Sequence, residues 1–244
     1  MSDGTPRGEK RIAGRGQPRY NSQVNPPEPA LALVPRLRGV FHAWALLGAV
    51  VGAVVLVVLA PGGTATLSAA VYGVGLCALF AGSALYHRWR WDERWRPLLR
   101  RVDHSTIFVF IAASYTPIAL LVLHGGLRWV VLGGVWAGAA AGVGFSIVWI
   151  GAPRSLVAGT YLALGWVAVI TVPELVHRLP VVPLVLLATG GILYSVGAAV
   201  YTRRRPDPWP RTLGFHEIFH LLVIAAALVH FVAMAGWVLP HRVA

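Results

Sequence analysis

The sequence predicts an all-α integral membrane protein, a bundle of seven transmembrane helices. Hydrophobic residues make up 57% of the 244 positions and charged residues only 12%, whereas an ordinary soluble domain is about 45–50% apolar and about 25% charged. So few charged side chains cannot cover a water-exposed surface of this size. The apolar residues are also concentrated in seven stretches of roughly 20 residues, the length that a helix needs to cross a bilayer. These observations exclude a soluble globular domain.

Each apolar stretch predicts one spanning helix within a transmembrane domain of residues 35–244. The spans are expected at about 41–60, 64–87, 103–124, 127–150, 155–175, 180–201 and 214–239. Internal Gly and Pro are compatible with membrane helices, and the Gly-rich fourth span is expected to pack closely against its neighbours. A β-barrel would instead have alternating segments of about ten residues. Residues 1–34 lack a periodic apolar pattern and are rich in Arg, Pro and Gly, which predicts a disordered cytoplasmic tail.

The distribution of Lys and Arg predicts the orientation of the chain. Eighteen of the 21 basic residues lie in the N-terminal segment to residue 40 and in the second, fourth and sixth loops. Only Arg128, Arg178 and Arg242 lie on the other side. Because basic loops stay in the cytoplasm, we expect a cytoplasmic N-terminus, an external C-terminus and a multi-pass protein of the cell membrane. The net charge of +12 therefore reflects orientation and does not indicate nucleic-acid binding.

Ionisable residues inside spans are costly and mark candidate functional sites. The second span ends near the cytoplasmic face, where the third and seventh spans begin. This topology brings five polar residues to one depth: Ser83, His87, Asp103, His216 and His220. Of the other span histidines, His42, His124 and His230 are interpreted as interfacial or hydrogen-bonded residues.

The five polar residues predict a zinc site. His216 and His220 are four residues apart, so their imidazoles lie on one face of a helix. His87 would supply a third nitrogen, and three protein ligands with one open position are typical of catalytic zinc. Asp103 could accept a proton from a water that the metal activates. Ser83 could hydrogen-bond that water or a substrate oxygen.

Other interpretations of these segments stay open. Asp103 could merely neutralise Arg100 or Arg101, and residues 86–91 could form an aromatic belt with snorkelling cations. Residues 216–220 also match the H-E-x-x-H pattern of zinc peptidases, with Glu217 as the general base. A peptidase of that kind would place its helix in a cleft open to peptide, whereas this one begins a membrane span.

The chain resembles the haemolysin III family, the bacterial branch of the progestin and adipoQ receptors. The resemblance covers residues 35–240 and rests on several spaced motifs: Pro35-Arg36-Leu37-Arg38-Gly39 with His42, Ser83-Ala84-Leu85-Tyr86-His87, Asp103-His104-Ser105-Thr106-Ile107, Tyr115-Thr116-Pro117 and His216 to His220. It implies a seven-helix bundle with zinc near the cytoplasmic face, bound by His87, His216 and His220. It also implies that Asp103 reaches the metal through water and that Ser83 lies beside it. The tail and Ala113-Ser114 depart from the family pattern.

Three functions follow from this resemblance. The first is a metal-dependent hydrolase of a lipid amide, because the wider superfamily includes alkaline ceramidases with a similar His/Asp/Ser set; Asp103 would be the base and Ser83 would help to hold the oxyanion. Its partner would be a membrane lipid held in the bundle. The second is a non-catalytic sensor or receptor-like regulator of membrane state with structural zinc. The third is cytolysis, the haemolysin of the family name, which is hard to reconcile with seven apolar spans because a pore-former usually needs a soluble form.

Overall fold

The computed structural model describes Met1 and residues 35–241, and seven helices in this part are long and apolar enough to cross a membrane. The predicted all-α seven-helix fold is therefore confirmed, whereas the tail predicted for residues 1–34 lies outside the described residues apart from Met1. The spanning helices are α1 (Val40–Leu59), α2 (Gly63–Arg88), α3 (Arg96–Leu121), α4 (Gly125–Val148), α5 (Arg154–Arg178), α6 (Val181–Arg203) and α7 (Phe215–Val238). The cytoplasmic orientation of the N-terminus stays a prediction.

The third helix begins before its apolar stretch does. The hydropathy pattern predicts a start at 103, but α3 begins at Arg96 and carries Pro97 in its first turn. Proline is well tolerated there because the first N–H groups of a helix have no intrahelical acceptor. Arg100 and Arg101 then lie on the helix itself, where long basic side chains can extend past the apolar core. The polar first turns therefore present Asp103 on a rigid element.

Helix α5 changes its winding in the middle. An α-helix over Arg154–Gly165 continues as a 3₁₀ segment, Trp166–Thr171, and then as a short α-helix, Val172–Arg178. Pro173 at the start of the last part cannot donate a backbone hydrogen bond, and its ring disfavours a regular turn before it. The Tyr115 hydroxyl of α3 donates to the carbonyl oxygen of Gly165, where the α-helical winding ends. This contact ties α3 to α5 at the transition.

Each of the helices α1 to α4 packs against the next one along the chain. Helix α6 packs on α7, and α7 also packs against α1. Small residues allow close approach at several of these contacts. A Cβ atom added at Gly73 would lie 2.6 Å from the Ala53 Cβ of α1, and Gly142 of α4 lies directly against the Phe108 ring of α3. The close packing expected of the Gly-rich α4 thus holds at Gly142 but not at Gly133, which has no neighbour within 4 Å.

The segment before α1 is fastened to the loop before α7. The backbone N–H groups of Arg36 and Leu37 donate to the carbonyl oxygens of Arg211 and Thr212, at 3.0 and 3.3 Å. Gly39 then has a positive φ of 72°, and a Cβ there would lie 2.8 Å from the His87 Cβ. Only glycine fits both the left-handed conformation and the space. The start of α1 is therefore pressed against the end of α2, where the candidate site lies.

Candidate metal centre

Three imidazoles converge where α2 ends and α7 begins. One ligand atom from each of His87, His216 and His220 lies within 4.8 Å of the other two. The Nε2 atoms of His87 and His216 are 3.2 Å apart. The ring centroids of His216 and His220 are 4.5 Å apart, as expected for residues one helical turn apart. The structure thus brings together the three residues that the sequence predicts as ligands.

The geometry fits a tetrahedral zinc ion. Zinc–imidazole bonds of 2.0–2.1 Å at tetrahedral angles separate the ligand nitrogens by about 3.4 Å. The 3.2 Å between His87 and His216 is close to that value, and small rotations about the side-chain bonds of His220 would bring its nitrogen into range. Three neutral nitrogen donors without a thiolate also suit zinc. The residues present therefore fit the predicted metal.

Asp103 and Ser83 lie beside this cluster. The Asp103 Oδ2 atom is 3.7 Å from the His87 Nε2 atom, and the residue is 8% exposed. Ser83, one turn before His87 on α2, is buried and within hydrogen-bonding reach of the Asp103 carboxylate. The carboxylate is not part of the compact ligand group itself. A group bound at the three imidazoles would therefore have an acceptor and a hydroxyl next to it.

The arginines suggested as partners of Asp103 are engaged differently. Among the ion pairs of residues 35–241, the only partner of Asp103 is His87. The Arg101 guanidinium donates through Nε to the Ile147 carbonyl oxygen of α4 at 3.0 Å. Arg100 is half-buried and contributes a positive charge near Asp103 without a direct ion pair. Asp103 therefore forms no ion pair with either arginine within residues 35–241.

Glu217 has a structural partner at each carboxylate oxygen. Oε1 is 2.7 Å from the Arg38 Nε atom, and Oε2 accepts a hydrogen bond from the backbone N–H of Gly214 at 2.9 Å. The residue is 1% exposed. A general base of a zinc peptidase must have a free oxygen that faces the metal and its water. The peptidase interpretation is therefore disfavoured, and the H-E-x-x-H match reflects the start of a helix.

Side-chain contacts fix the first turns of α7. The Asp207 Oδ1 atom accepts a hydrogen bond from the Phe215 N–H at 3.0 Å, and Glu217 caps the turn at Gly214. These bonds satisfy N–H groups that a helix start leaves without acceptors. The carboxylates also suit the positive end of the helix dipole. His216 and His220 are thus held on a rigid helical turn.

His42 is closer to the site than the sequence suggests. It is 3% exposed, and its ring stacks on His220 with centroids 3.9 Å apart and an interplanar angle of 10°. The sequence predicts an interfacial or hydrogen-bonded residue at this position and indicates no role for Arg38. The signal in the sequence is the Pro35–Gly39 motif with His42, because Arg38 lies two residues before the start of α1 and His42 two residues after it. Arg38 pairs with Glu217 and His42 stacks on His220, so both residues lie next to the helix that carries two of the candidate ligands.

The other two span histidines lie away from the metal centre. At the opposite end of the bundle the His124 Nδ1 atom is 3.8 Å from Glu174 Oε1, which also accepts a hydrogen bond from Arg178. The His230 Nε2 atom of α7 lies 3.1 Å from the Leu187 carbonyl oxygen of α6. Both are hydrogen-bonded or interfacial, as the sequence predicts.

Comparison with known proteins places these residues inside a shared segment. A family model described as haemolysin-III related matches residues 32–231. The chain is 33% identical over 179 residues to Hemolysin-3 of Bacillus cereus, which covers 72% of this chain and 78% of that protein. It is 30% identical over 206 residues to monocyte to macrophage differentiation factor of Homo sapiens, with 79% of each chain covered. The family match includes every residue of the candidate metal centre.

Proposed function

Because the chain belongs to the haemolysin III family of membrane proteins, we propose that it is a zinc-dependent hydrolase of a lipid amide in the cell membrane. The family resemblance predicted from the spaced motifs is confirmed by the match over residues 32–231. The hydrolase activity, the zinc and the cell membrane are the proposal. Membership alone does not distinguish an enzyme from a receptor, so the proposal depends on the chemistry of the site.

The observation that carries the proposal is the convergence of His87, His216 and His220 within 4.8 Å. Three imidazoles, one buried and two half-buried, favour a metal because neutral rings packed this closely repel through their lone pairs unless a cation or proton lies between them. Three ligands leave one tetrahedral position for water or substrate, which is the arrangement of catalytic zinc. A structural zinc site usually has four protein ligands.

The neighbouring side chains support hydrolysis. When bound, zinc would polarise the amide carbonyl and make a water molecule nucleophilic at neutral pH. The Asp103 carboxylate, 3.7 Å from His87, would accept the proton of the attacking water and return it to the leaving amine. The buried Ser83 hydroxyl would donate a hydrogen bond to the oxygen that becomes negative. Burial of both groups strengthens these interactions, since little water screens them.

A lipid substrate suits the surroundings of the site. The helices that carry His87 and His216 present apolar residues along their remaining length, so an acyl chain could extend beside them. On the other side, the Arg154 guanidinium lies over the Tyr201 and Phe215 rings at 5.5 and 5.9 Å. A polar headgroup would therefore meet cationic and aromatic side chains while the chain stays in the bilayer.

The direct test is the metal content of detergent-purified protein, with the wild type beside a His216→Ala/His220→Ala double variant. We expect about one zinc per chain in the wild type, as for a single mononuclear site, and loss of the metal in the variant. His124→Ala, a histidine at the opposite end of the bundle, is the matched control and should keep the metal. Wild-type protein that is free of metal after purification without chelator would contradict the proposal. If zinc is present, ceramide-like amides are the first substrates to assay.

A second candidate is a non-catalytic regulator in which zinc holds the helices together. Its support is that the ligands come from two helices that are distant in sequence. His87 of α2 and His216 of α7 are separated by 129 residues. Metal bound across such a separation stabilises the fold directly. The Asp103→Ala variant distinguishes the two functions. It should keep its zinc in both cases, but it should lose all turnover only if the protein is a hydrolase.

A further inference from the structure

A second group of polar side chains lies in the middle of the bundle, away from the metal centre. This mid-bundle polar cluster consists of Ser68 and Tyr72 of α2, Tyr194 of α6 and His230 of α7. His230 is ten residues beyond His220, about 15 Å at 1.5 Å per residue, and Tyr72 is fifteen residues before His87, about 22 Å. The cluster therefore lies within the apolar layer and shares no residue with the proposed hydrolase.

The members of the cluster are neighbours in space. The Tyr194 and His230 rings pack with centroids 5.5 Å apart, and the Tyr72 ring lies 6.5 Å from Phe231, the next residue of α7. Ser68 is one turn before Tyr72 and lies on the same helix face. Three helices thus contribute polar atoms to one region.

The three hydroxyls of the cluster make no hydrogen bond to any side chain or backbone group of residues 35–241. Ser68 and Tyr72 are completely buried, and the Tyr194 oxygen is buried although its ring is partly exposed. An unpaired polar group in an apolar environment costs on the order of several kcal/mol, and no bulk water is available in a bilayer to relieve it. Three such groups in the middle of one bundle indicate that a ligand supplies their partners.

The donors and acceptors define the chemistry of that ligand. The His230 Nε2 atom lies 3.1 Å from a carbonyl oxygen, which can only accept, so Nε2 carries the proton and Nδ1 of the neutral ring is an acceptor. Each hydroxyl can donate one hydrogen bond and accept others. The cluster has no permanently charged member, so it offers nothing to offset the charge of an ion. Its ligand must be uncharged and must both donate and accept hydrogen bonds.

We propose that Ser68, Tyr72, Tyr194 and His230 form a binding site for an uncharged hydrogen-bonding ligand, the hydroxyl or amide group of a lipid or water in its place. Ile192 and Val196, 56% and 46% exposed, are two residues from Tyr194 and therefore lie on the opposite face of α6. Tyr194 itself is only partly buried, so its ring reaches the surface of the bundle while its oxygen stays inside. A lipid can therefore reach the cluster past this ring, which favours a lipid as the ligand. The site is independent of the metal centre and does not require zinc.

The test removes single hydroxyls and measures the melting temperature in a detergent that has no hydroxyl groups. Tyr72→Phe and Tyr194→Phe preserve the ring and delete only the oxygen. If a ligand occupies the site, each variant loses a hydrogen bond and its Tm falls by about 2–4 °C. Tyr115→Phe is the matched control, because its hydroxyl has a known acceptor at Gly165 and its deletion sets the size of the effect. A Tm that stays the same or rises in both variants would overturn the proposal, since deleting an unpaired hydroxyl relieves its desolvation.

Two further measurements identify the ligand. Added 1-dodecanol should raise the Tm of the wild type more than that of the Tyr72→Phe/Tyr194→Phe double variant, whereas dodecane should affect both equally; this supports a lipid hydroxyl. Oxidation of the buried Tyr72 in X-ray hydroxyl-radical footprinting, with no differential response to dodecanol, supports water. Absence of both effects, together with undiminished Tm of the two Phe variants, refutes the site. Each experiment is repeated after zinc removal, so a failure of the metal centre is recognised separately.

Discussion

Two Arg–Glu pairs of the same length lie at opposite ends of the bundle. At the metal centre Arg38 Nε is 2.7 Å from Glu217 Oε1, and at the other end Arg178 Nε is 2.7 Å from Glu174 Oε1. Their surroundings differ. The side chain of Glu217 is 1% exposed and joins two helix ends, whereas Glu174 is 25% exposed and pairs with a residue four positions along its own helix.

Burial, and whether the partners come from different elements, therefore determine what an ion pair contributes, because the two distances are equal. An exposed pair four residues apart on a helix contributes a few tenths of a kcal/mol. A buried carboxylate that loses its partner becomes an uncompensated charge, which costs on the order of 3–5 kcal/mol. The Arg38–Glu217 pair also links the segment before α1 to the helix that carries His216 and His220. The same chemical pair therefore stabilises the candidate metal centre at one end of the bundle and contributes little at the exposed surface of the other end.

Replacing the arginine of each pair should give the largest difference in the free energy of unfolding. We expect Arg38→Ala to lower the free energy of unfolding by about 3 kcal/mol, because Glu217 is left charged and buried. Arg178→Ala should change it by less than about 1 kcal/mol. Unfolding of the purified variants in mixed detergent measures both. Equal effects of the two substitutions would contradict the idea that burial sets the contribution of each pair.

Zinc affinity should depend on a histidine next to the candidate metal centre but not on one at the opposite end of the bundle. Because the His42 ring stacks on His220, His42→Ala should weaken zinc binding by roughly tenfold, the loss typical of residues that orient metal ligands. His124→Ala, at the opposite end, should leave the affinity unchanged. Competition with a chromophoric chelator measures both. If His42→Phe, which keeps a ring, restores the affinity, then stacking is the cause; if it does not, the imidazole itself is required.

Neutralising Glu217 tests whether its unpaired charge causes the loss of stability in Arg38→Ala. Glu217→Gln keeps an oxygen that can accept from the Gly214 N–H but removes the charge. We expect a loss of about 1 kcal/mol, smaller than that of Arg38→Ala, because no unpaired charge is created. In the Arg38→Ala background the same substitution should partly rescue stability. Additive losses in the double variant would mean that the two side chains do not act as a pair.

Salt should produce the smallest difference. Raising the ionic strength from 0.1 M to 1 M shortens the Debye length from about 10 Å to about 3 Å and screens exposed charges. The coupling energy of Arg178 and Glu174 from a double-mutant cycle should therefore decrease toward zero. The coupling of Arg38 and Glu217 should persist, because little solvent reaches Glu217. A strongly salt-dependent coupling at the metal centre would indicate that the pair is hydrated.

The sequence was sufficient to predict much of the candidate site. His216 and His220 share a helix face because of their spacing, and the alternating direction of the spans brings His87 and Asp103 to the same depth. It did not reveal that Arg38 pairs with Glu217, because the H-E-x-x-H spacing matches a capped helix start as well as a peptidase motif. Nor did it reveal the stacking of His42, which depends on how α1 is rotated about its axis.

The mid-bundle polar cluster was equally hidden. Ser68, Tyr72 and Tyr194 are ordinary in apolar spans, and nothing in their spacing separates a hydroxyl that faces a neighbouring helix from one that returns to its own backbone. His230 was recognised as hydrogen-bonded, but its contact with Tyr194 required the packing of α6 against α7.

The number of spans, the all-α class and the depth of each polar residue could be predicted from the sequence, because hydropathy, helix rise and helix direction are local properties of the chain. The family could be predicted as well, because its motifs are short and local. Only the tertiary structure decided which side chains at one depth face each other. In a membrane bundle both lipid-facing and partner-facing surfaces are apolar, so the sequence carries little information on the rotation and lateral order of the helices. Packing of small residues and the few buried polar contacts resolve that choice, and with it the partners of Glu217, His220 and Tyr194.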